Sequence, residues 1–247
     1  MAIDRRHFMT GVLAAAALPA TALRAANDSP EPRLYAGTPL AKNRLARSFA
    51  AVDLALPPIK VSDGARKISL ASLTGKIRIV TLWAEWCAPC LVEARDFAEL
   101  RRRFANADFD IVTVLTGSIA KLDHAGAVAR LQKAGAGDLP VLVEERGGNQ
   151  VMRRLALDPA VPQAKFGTLP CTLLVDRDGR VRGRARGAPI TVDAKGTDRS
   201  SPGGAARVPR ELTQAEKAAL LDGTVRSAWA SPAGDAFVTA LRDGLPR

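Results

Sequence analysis

Two cysteines separated by two residues lie where a strongly apolar segment passes directly into an amphipathic one. Residues 76–83 form the apolar segment, and their near-continuous hydrophobicity is typical of a central strand covered on both faces. Apolar side chains then recur at helical spacing over residues 89–106, with basic residues near the end, where a helix dipole favours them. The Cys-Ala-Pro-Cys motif of residues 87–90 therefore joins a buried strand to a helix.

This placement gives the two cysteines different expected reactivities. At a helix N-terminus, free backbone N–H groups and the helix dipole stabilise a thiolate, which makes Cys87 the reactive sulfur. Cys90 lies one turn further along, close enough to form a disulfide with Cys87 and shielded from solvent, while Pro89 keeps the first turn rigid. Because Ala88 lies where a histidine would add stabilisation to the thiolate, the motif predicts a reducing dithiol.

Two other interpretations of the motif compete with a redox role. A zinc site needs a second pair of ligands, and after the first 26 residues the chain offers only Cys171 and His124. An inert structural disulfide is permitted in an exported protein, but a loop of two residues constrains the unfolded chain very little. We therefore expect a redox site that holds no metal and needs no cofactor beyond its own cysteines.

The remaining pattern predicts a mixed α/β sheet with helices on its faces. A hairpin is expected first, with strands at 59–61 and 67–70 on either side of a Ser-Asp-Gly turn. Later segments alternate as β-α-β-α-β-α and end in a β-β pair. The predicted strands are 76–83, 110–115, 139–143, 172–176 and 180–186, and the predicted helices are 89–106, 121–134 and 149–155.

Three further segments complete the predicted organisation of the chain. Residues 27–55 lack a clear period and are expected to be a flexible lead-in to a folded domain that spans residues 56–247. Residues 188–224 are polar and rich in Gly, Pro and Ser, which predicts a surface insertion with a short helix at 213–223. A last helix is expected to start after Ser231 and to pack back onto the sheet.

The first 26 residues have the pattern of an export signal. Arg5 and Arg6 form a twin-arginine pair ahead of a mildly apolar stretch, residues 9–23, which is too short and too weakly apolar to span a bilayer. Small residues then offer cleavage sites. The segment resembles a Tat export signal, so we expect the mature protein in the periplasm. An ordinary N-terminal helix, a Sec route and an uncleaved anchor are the alternatives.

The formal net charge of +11 is compatible with an anionic partner. The basic residues are scattered among acids, however, and the arginines within residues 180–186 alternate, as on the outward face of one strand. Aromatic residues make up 4% of the chain, too few for a base-stacking platform. We therefore expect no nucleic-acid partner, whereas acidic partner proteins remain open.

Together, the motif and the segments around it resemble the thioredoxin superfamily, and within it the TlpA/ResA group of exported reductases. The resemblance covers roughly residues 56–187 and 225–245. It implies a thioredoxin-like three-layer α/β/α fold with a mixed central sheet, an N-terminal hairpin extension and an insertion before the C-terminal helix. The stretches that carry it are Leu73 to Lys76, Trp83 to Cys90, Leu169 to Gly179 and Trp229 to Pro232.

The resemblance also implies which residues react with a substrate and which bind it. Cys87 and Cys90 would form the redox-active disulfide. A cis peptide bond between Leu169 and Pro170 would place polar backbone groups against the Cys87 sulfur, where an extended substrate segment can pair. A trans turn proline is the alternative. The implied substrate contacts are Trp86, Ala88, Pro89, Leu169 and Pro170.

Several residues depart from the family pattern or extend it. Thioredoxin keeps a buried Asp where this chain has Thr81, so the usual proton acceptor for Cys90 is missing. Glu93, three residues past Cys90, is our candidate for that role, directly or through a water, with an ordinary helix-face carboxylate as the alternative.

Glu85, beside the motif, is expected to be exposed. Cys171, where relatives have Thr, is expected near the cysteine pair as an accessory thiol or soft-metal ligand, with a small buried residue as the alternative.

Two related activities fit the residues less well. Peroxiredoxins have a Thr three residues before their peroxidatic Cys, and this chain has Ala84 there. Cytochrome c maturation reductases carry a Gly-Val-Tyr-Gly run before the cis proline, where residues 164–167 of this chain read Ala-Lys-Phe-Gly.

The function that the resemblance implies is that of an exported protein-disulfide reductase acting by dithiol–disulfide exchange. Its partners would be a disulfide-bearing protein, such as a copper-delivery or cytochrome assembly factor, and a membrane electron donor of the DsbD/CcdA class. A thiol oxidase or isomerase is the second hypothesis. A non-enzymatic thioredoxin-fold chaperone that holds Cu(I) through Cys87, Cys90 and Cys171 is the third.

Overall fold

The computed structural model describes residues 35, 37–43, 45–145, 148–155, 168–187, 191–192 and 226–243. Its strands are β1 (Ala50–Ala55), β2 (Lys60–Ser62), β3 (Lys67–Ser69), β4 (Ile77–Trp83), β5 (Phe109–Leu115), β6 (Val141–Glu144), β7 (Cys171–Val175), β8 (Arg180–Arg186), β9 (Thr191–Val192) and β10 (Arg226–Ser227). Its α-helices are α1 (Ala88–Phe104), α2 (His124–Lys133), α3 (Gln150–Leu155) and α4 (Pro232–Asp243), and short 3-10 helices lie at Pro39–Lys42, Ala46–Ser48, Leu70–Ser72 and Ala228–Ala230. No helix among these residues is long and apolar enough to cross a membrane.

Eight of the strands form one mixed sheet, in the order β1-β8-β7-β4-β5-β6-β2-β3. The three strands β4, β5 and β6 run parallel, and the other pairings in this sheet are antiparallel. Helix α1 connects β4 to β5 and α2 connects β5 to β6, since parallel neighbours require a crossover of this kind. Strands β9 and β10 form a separate antiparallel pair. The predicted order of strands and helices is therefore confirmed.

Alternation along the strands divides the buried side chains between two cores. On β4, Ile79 and Trp83 belong to the core that α1, α2 and α4 cover, which we call the α1-side core. Val80 and Leu82 belong to the core that α3 covers, the α3-side core. Apart from Arg78 and Thr81 the strand is apolar, because both of its faces are buried. Helices on either side of a mixed sheet confirm the predicted three-layer α/β/α, thioredoxin-like fold.

The predicted element bounds mostly agree with the structure to within a few residues. The helix expected from residue 121 starts at His124, because the Asp123 carboxylate caps it by accepting a hydrogen bond from Gly126 N at 2.8 Å. The expected hairpin is present as β2 and β3, with Val61 opposite Ile68. The export signal, the helix at 213–223 and most of the 188–224 insertion lie outside the described residues.

The alternating arginines of β8 form ion pairs across the edge of the sheet. Arg180 Nε and Arg182 Nη1 lie 2.7 and 3.0 Å from Asp53 Oδ1 on β1. These side chains are partly exposed, so each pair adds little to stability. Arg180 and Arg182 are therefore part of the contact between β1 and β8.

The folded domain begins before Leu56, so the assignment of residues 27–55 as a flexible lead-in is wrong for their described part. Strand β1 belongs to this segment and pairs with β8. Upstream of β1, Tyr35, Leu45 and Phe49 are buried in the α1-side core. Sequence reasoning missed this burial, although the apolar side chains at residues 45, 49–52 and 54–56 are a signal that could have indicated it.

Phe49 links this segment to the C-terminal helix. Its ring stacks on Phe237 of α4 with centroids 5.4 Å apart and meets Trp229 edge-on at 6.1 Å. Tyr35 meets Phe237 edge-on at 5.4 Å. Aromatic pairs at such distances stabilise a core beyond their buried area. The segment from Tyr35 to β1 therefore closes the α1-side core together with α4.

We expect Phe49→Ala to lower the free energy of unfolding by about 3–5 kcal/mol, because it leaves a cavity beside Phe237 and Trp229. Denaturant unfolding followed by circular dichroism measures this change. Arg47→Ala, at an exposed position of the same segment, is the matched control and should change stability by less than about 0.5 kcal/mol. Equally small effects of the two substitutions would show that this segment does not belong to the folded domain.

Candidate active site

Helix α1 begins at the junction that the sequence predicts, with Cys87 as its N-cap residue. Cys87 has extended backbone angles (φ −87°, ψ 91°), and its carbonyl accepts the N–H of Cys90 at 3.1 Å. Pro89 occupies the first turn, where a missing N–H costs nothing. The Cys87 side chain makes no capping hydrogen bond, and its sulfur lies at the positive end of the helix dipole.

Cys87 and Cys90 form a disulfide, with an S–S distance of 2.06 Å and Cα atoms 5.3 Å apart. In this oxidised state 4% of Cys87 and 2% of Cys90 is exposed, and both belong to the α1-side core. Cys90 is therefore buried, as the sequence predicts. Cys87 is nearly as buried while it is bonded, which differs from the expected pair of one open and one shielded sulfur.

Two hydrogen bonds tie the motif to the loop that follows β5. Trp86 Nε1 donates to Gly117 O at 3.0 Å, and Ala120 N donates to Glu85 Oε1 at 2.7 Å. Glu85 is half-buried, so the expectation that it is exposed is wrong. Trp86 is 47% exposed. Among the described residues, Trp86 and Ile119 are the large hydrophobic side chains that are exposed. Trp86 directly precedes Cys87, and Ile119 lies in the loop to which Trp86 is bonded.

The peptide bond between Leu169 and Pro170 is cis, as the resemblance implies. Strand β7 starts directly after it and runs antiparallel to β4, with Cys171 opposite Leu82. If this pairing is continued by one residue, Pro170 lies level with the last residue of β4. The Cys motif follows β4 directly in the chain. Leu169 is half-buried and packs against both cores. The proline and the cysteine pair therefore lie at the same end of the sheet.

Glu93 is a buried carboxylate one turn past Cys90, with 2% of the residue exposed. Its Oε1 accepts a hydrogen bond from Trp229 Nε1 at 3.2 Å, while Oε2 is buried and has no hydrogen-bond partner among the described residues. Burial raises the pKa of Glu93 well above its ordinary value; the Trp229 bond opposes this shift and the Asp96 carboxylate adds to it. This placement fits a carboxylate with a raised proton affinity, as a proton acceptor needs, and does not fit an exposed helix-face carboxylate.

A second buried carboxylate, Asp96, lies one turn further along α1, and sequence reasoning misses it. Arg226 Nε donates to Asp96 Oδ1 at 2.7 Å, and Ser227 N donates to Oδ2 at 2.6 Å. Arg226 Nη2 also donates to Glu99 Oε2 at 2.5 Å. Burial raises the pKa of Asp96, and the bonds from Ser227 and Arg226 oppose that shift. The spacing of Glu93, Asp96 and Glu99 on one helix face is visible in the sequence, but the partners that lie far along the chain are not.

Thr81 occupies the place where thioredoxin keeps a buried Asp. It is buried in β4, opposite Thr113 of β5 and Thr172 of β7. A threonine hydroxyl does not titrate in the ordinary pH range. The titratable carboxylates of this region are therefore supplied by α1 and not by β4.

Cys171 is a free, fully buried cysteine in the α3-side core. Its Sγ donates to Leu155 O of α3 at 3.8 Å, and burial raises its pKa to about 12. The expectation that the cis proline brings this thiol to the Cys87–Cys90 pair is wrong, because side chains alternate along a strand and Cys171 lies on the opposite face of the sheet. Its position favours the alternative of a small buried residue. Within the described residues, no three potential metal ligands of the His, Cys, Asp or Glu type lie together.

The fold and the cysteine pair define a class of protein, the thioredoxin-fold thiol-disulfide oxidoreductases. The model of the AhpC/TSA family matches residues 50–184, more than half of the chain, and the protein belongs to this family.

Solved structures that match part of this chain come from several bacteria. A putative thiol:disulfide interchange protein DsbE from Chlorobium tepidum is 23% identical, with a TM-score of 0.38 over 56% of this chain and 82% of that chain. A DsbF homologue from Corynebacterium diphtheriae is 19% identical, with a TM-score of 0.39 over 60% and 86% of the two chains. A secreted Mycobacterium tuberculosis disulfide oxidoreductase is 16% identical, with a TM-score of 0.36 over 51% and 81%.

We expect Cys171→Ala to leave the rate of thiol–disulfide exchange unchanged, because Cys171 lies on the other face of the sheet from the cysteine pair. In the reduced wild-type protein, iodoacetamide at about pH 8 should label Cys87 and leave Cys171 unmodified until the protein is denatured, since a neutral buried thiol is inert. Peptide mass spectrometry reads out both sites. Labelling of Cys171 at the rate of Cys87, or loss of exchange in the Ala variant, would contradict this assignment.

Proposed function

We propose that this protein is an exported reductase of protein disulfides that works by dithiol–disulfide exchange. The observation that carries the proposal is the position of Cys87, which is the N-cap of α1 and is bonded to Cys90 one turn into the same helix. A helix N-terminus stabilises the thiolate that attacks a disulfide, and a second thiol one turn away can release the product.

The proposed cycle starts from the reduced protein. The Cys87 thiolate attacks one sulfur of the substrate disulfide; a bond forms to that sulfur, the substrate disulfide breaks, and the other substrate sulfur leaves with the electron pair and takes up a proton. Cys90 then gives up its proton and attacks Cys87, which forms the Cys87–Cys90 disulfide and releases the second substrate sulfur as a thiol. Two electrons pass from the cysteines to the substrate, so a reductant has to restore the dithiol.

Glu93 is proposed to accept the Cys90 proton, directly or through a water. The two residues are three apart on α1, a spacing that puts their side chains side by side. Burial raises the pKa of Glu93, which brings the proton affinity of its carboxylate closer to that of a thiol. In this proposal Glu93 takes the role that the buried Asp has in thioredoxin, where this chain has Thr81.

The substrate is proposed to bind across the end of the sheet that holds the motif. The exposed ring of Trp86 would contact it on one side, with Ala88 and Pro89 at the start of α1. The backbone at Leu169 and Pro170 would pair with an extended substrate segment on the other side.

The direction of exchange and the location of the protein are also part of the proposal. Ala88 leaves the thiolate without an added histidine, which favours a reducing dithiol. The twin-arginine pattern of residues 1–26 favours export to the periplasm. That compartment is kept oxidising, so the protein would draw electrons from a membrane dithiol donor of the DsbD/CcdA class. Copper-delivery and cytochrome assembly factors are the proposed substrates.

We expect the wild-type protein to catalyse insulin reduction by dithiothreitol, with a reduction potential nearer the roughly −270 mV of thioredoxin than the roughly −120 mV of DsbA. Cys90→Ser should trap a substrate on Cys87 as a mixed disulfide, visible by non-reducing electrophoresis and identified by mass spectrometry. Cys87→Ser is the control and should trap nothing. A potential close to that of DsbA would favour the oxidase hypothesis instead, and inactivity toward insulin would favour the chaperone.

We expect Glu93→Gln to remove the pH dependence of the step in which Cys90 attacks Cys87. Because the pKa of Glu93 is raised, the wild-type rate should climb with pH as this carboxyl loses its proton, and the Gln variant should lack that limb. The same shift favours the neutral form in the folded state, so its contribution to stability is present at low pH and is lost as the pH rises through the raised pKa. Glu93→Gln should therefore be more stable than wild type at alkaline pH.

Stopped-flow kinetics and thermal unfolding across the pH range measure these two effects. Asp138→Asn, which removes a partly exposed carboxylate paired with Arg102 near the end of α1, is the control and should keep the wild-type pH profile. An unchanged profile in Glu93→Gln would remove Glu93 from the mechanism.

A further inference from the structure

The hydrogen bond between Trp229 and Glu93 joins the proposed redox site to a segment that is distant in sequence. Trp229 Nε1 donates to Glu93 Oε1 at 3.2 Å, and both residues are buried. An indole N–H only donates and does not titrate in the ordinary pH range. Trp229 can therefore hold one oxygen of the carboxylate but cannot itself carry the proton of Cys90.

We propose that Trp229 is a positioning residue, whose indole N–H holds Glu93 Oε1 and leaves Oε2 as the oxygen that exchanges a proton with Cys90. The proposal rests on the proposed function and adds to it the residue that orients the proton acceptor. It assigns different roles to the two carboxylate oxygens.

The two oxygens differ in their surroundings, as this assignment requires. Oε1 has the indole as its partner, whereas Oε2 is buried without a hydrogen-bond partner among the described residues. A buried acceptor without a partner is costly, and such a group in a native protein calls for an explanation. A proton delivered from Cys90, which lies one turn away on the same helix, would satisfy Oε2 during the reaction.

Packing holds the indole in place. The Trp229 ring lies 4.8 Å from the Phe97 ring of α1, and the rings of Phe237 and Phe49 lie 5.8 and 6.1 Å away. The backbone N–H of Trp229 also donates to Ser227 Oγ at 3.3 Å. An indole enclosed on several sides can fix the rotamer of a carboxylate more firmly than a mobile surface donor.

Ion pairs fix the same segment along α1. Arg226 bonds to Asp96 and Glu99, and Ser227 N bonds to Asp96. These contacts lie one and two turns beyond Glu93, so they set the position of the segment relative to the helix. Because these contacts fix residues 226–229 along α1, they place the indole N–H next to Glu93.

The charged and titratable groups around Glu93 determine how its proton affinity responds to Trp229. Asp96 on α1 raises the pKa of Glu93, and Arg226 from the neighbouring segment is paired with that Asp96. On β7, Cys171 lies on the opposite face of the sheet, and burial keeps its thiol neutral. Since the Trp229 bond lowers the pKa of Glu93, its loss should leave less ionised carboxylate at a given pH.

The attack of Cys90 on the mixed disulfide needs no reactant beyond the protein and its substrate. The proton of Cys90 moves to Glu93 Oε2, and the Cys90 sulfur forms a bond to Cys87. The bond between Cys87 and the substrate sulfur breaks, and its electron pair leaves with that sulfur. The departing thiolate then takes up a proton from Glu93 or from solvent.

The test uses Trp229→Phe, which keeps an aromatic ring and removes the N–H. Trp83→Phe is the matched control, because Trp83 is buried in the same core and its Nε1 has no hydrogen-bond partner among the described residues. The reduced full-length protein is mixed with dithiobis-nitrobenzoate, a small disulfide that releases a coloured thiolate. The first equivalent released reports the attack by Cys87, and the second reports the attack by Cys90 on the mixed disulfide.

We expect Trp229→Phe to slow the second release at about pH 7 by roughly tenfold, the effect of losing one hydrogen bond to a charged acceptor. The rate should recover at higher pH, so the midpoint of its pH profile moves upward. The first release should keep its wild-type rate. Trp83→Phe should match the wild type in both phases.

A second readout follows the carboxyl group itself. Infrared difference spectra, with Glu93→Gln as the reference, should show the protonated Glu93 band persisting to higher pH in Trp229→Phe than in wild type. The double variant Glu93→Gln, Trp229→Phe should release the second equivalent no more slowly than Glu93→Gln alone, since Trp229 acts through Glu93.

Three outcomes would overturn the assignment: an unchanged second phase in Trp229→Phe, an equal slowing in Trp83→Phe, or additive effects in the double variant. If Trp229→Phe does not fold, benzothienylalanine is introduced at position 229 instead, because it keeps the ring shape of tryptophan and has sulfur in place of the N–H. The same slowing of the second release is expected for this variant. Failure of the proposed function has a different signature, because the wild-type protein would then release no rapid first equivalent.

Discussion

The packing of α1 against the sheet is the interaction on which the rest of this structure depends. One face of the helix buries Leu91, Ala94 and Phe97 in the α1-side core, and fully burying a large apolar side chain contributes about 1.5–3 kcal/mol. That same face carries Cys90 and Glu93. The apolar residues thus provide the free energy that holds the chemically active ones at fixed positions. Cys87 needs no separate support, because the residue that ends the loop after β4 is also the N-cap of α1.

Burial of acidic groups on this face opposes the stability that the apolar residues provide. An effective penalty of several kcal/mol accompanies the removal of an ion from water, and good partners offset it only in part. Asp96 has such partners in Arg226 and Ser227, whereas only one oxygen of Glu93 has a hydrogen-bond partner among the described residues. An apolar residue at position 93 would pack as well without this penalty. Local conflicts of this kind are expected where a protein uses the group that causes them.

Sequence patterns predict the local features of this protein and miss its long-range ones. The junction at Cys87, the β2–β3 hairpin and the β7–β8 pair follow from turns and periods within a few residues. The burial of Phe49 and the partner of Asp96 depend on segments more than a hundred residues away. Cys171 illustrates a subtler limit: a shift of one residue in strand register moves a side chain to the other face, and a motif gives no register.

The two ends of the described chain meet over the helix that carries the chemistry. Phe49 from the first segment and Phe237 from the last enclose Trp229, and Trp229 in turn contacts Glu93. A water-poor surrounding is what raises the pKa of that carboxyl, so residues outside the Cys motif set its proton affinity. The motif determines which sulfurs react, since it is local and lies at a helix start. The distant segments determine where the proton goes, and two chains with the same motif can therefore differ in how readily the second sulfur attacks.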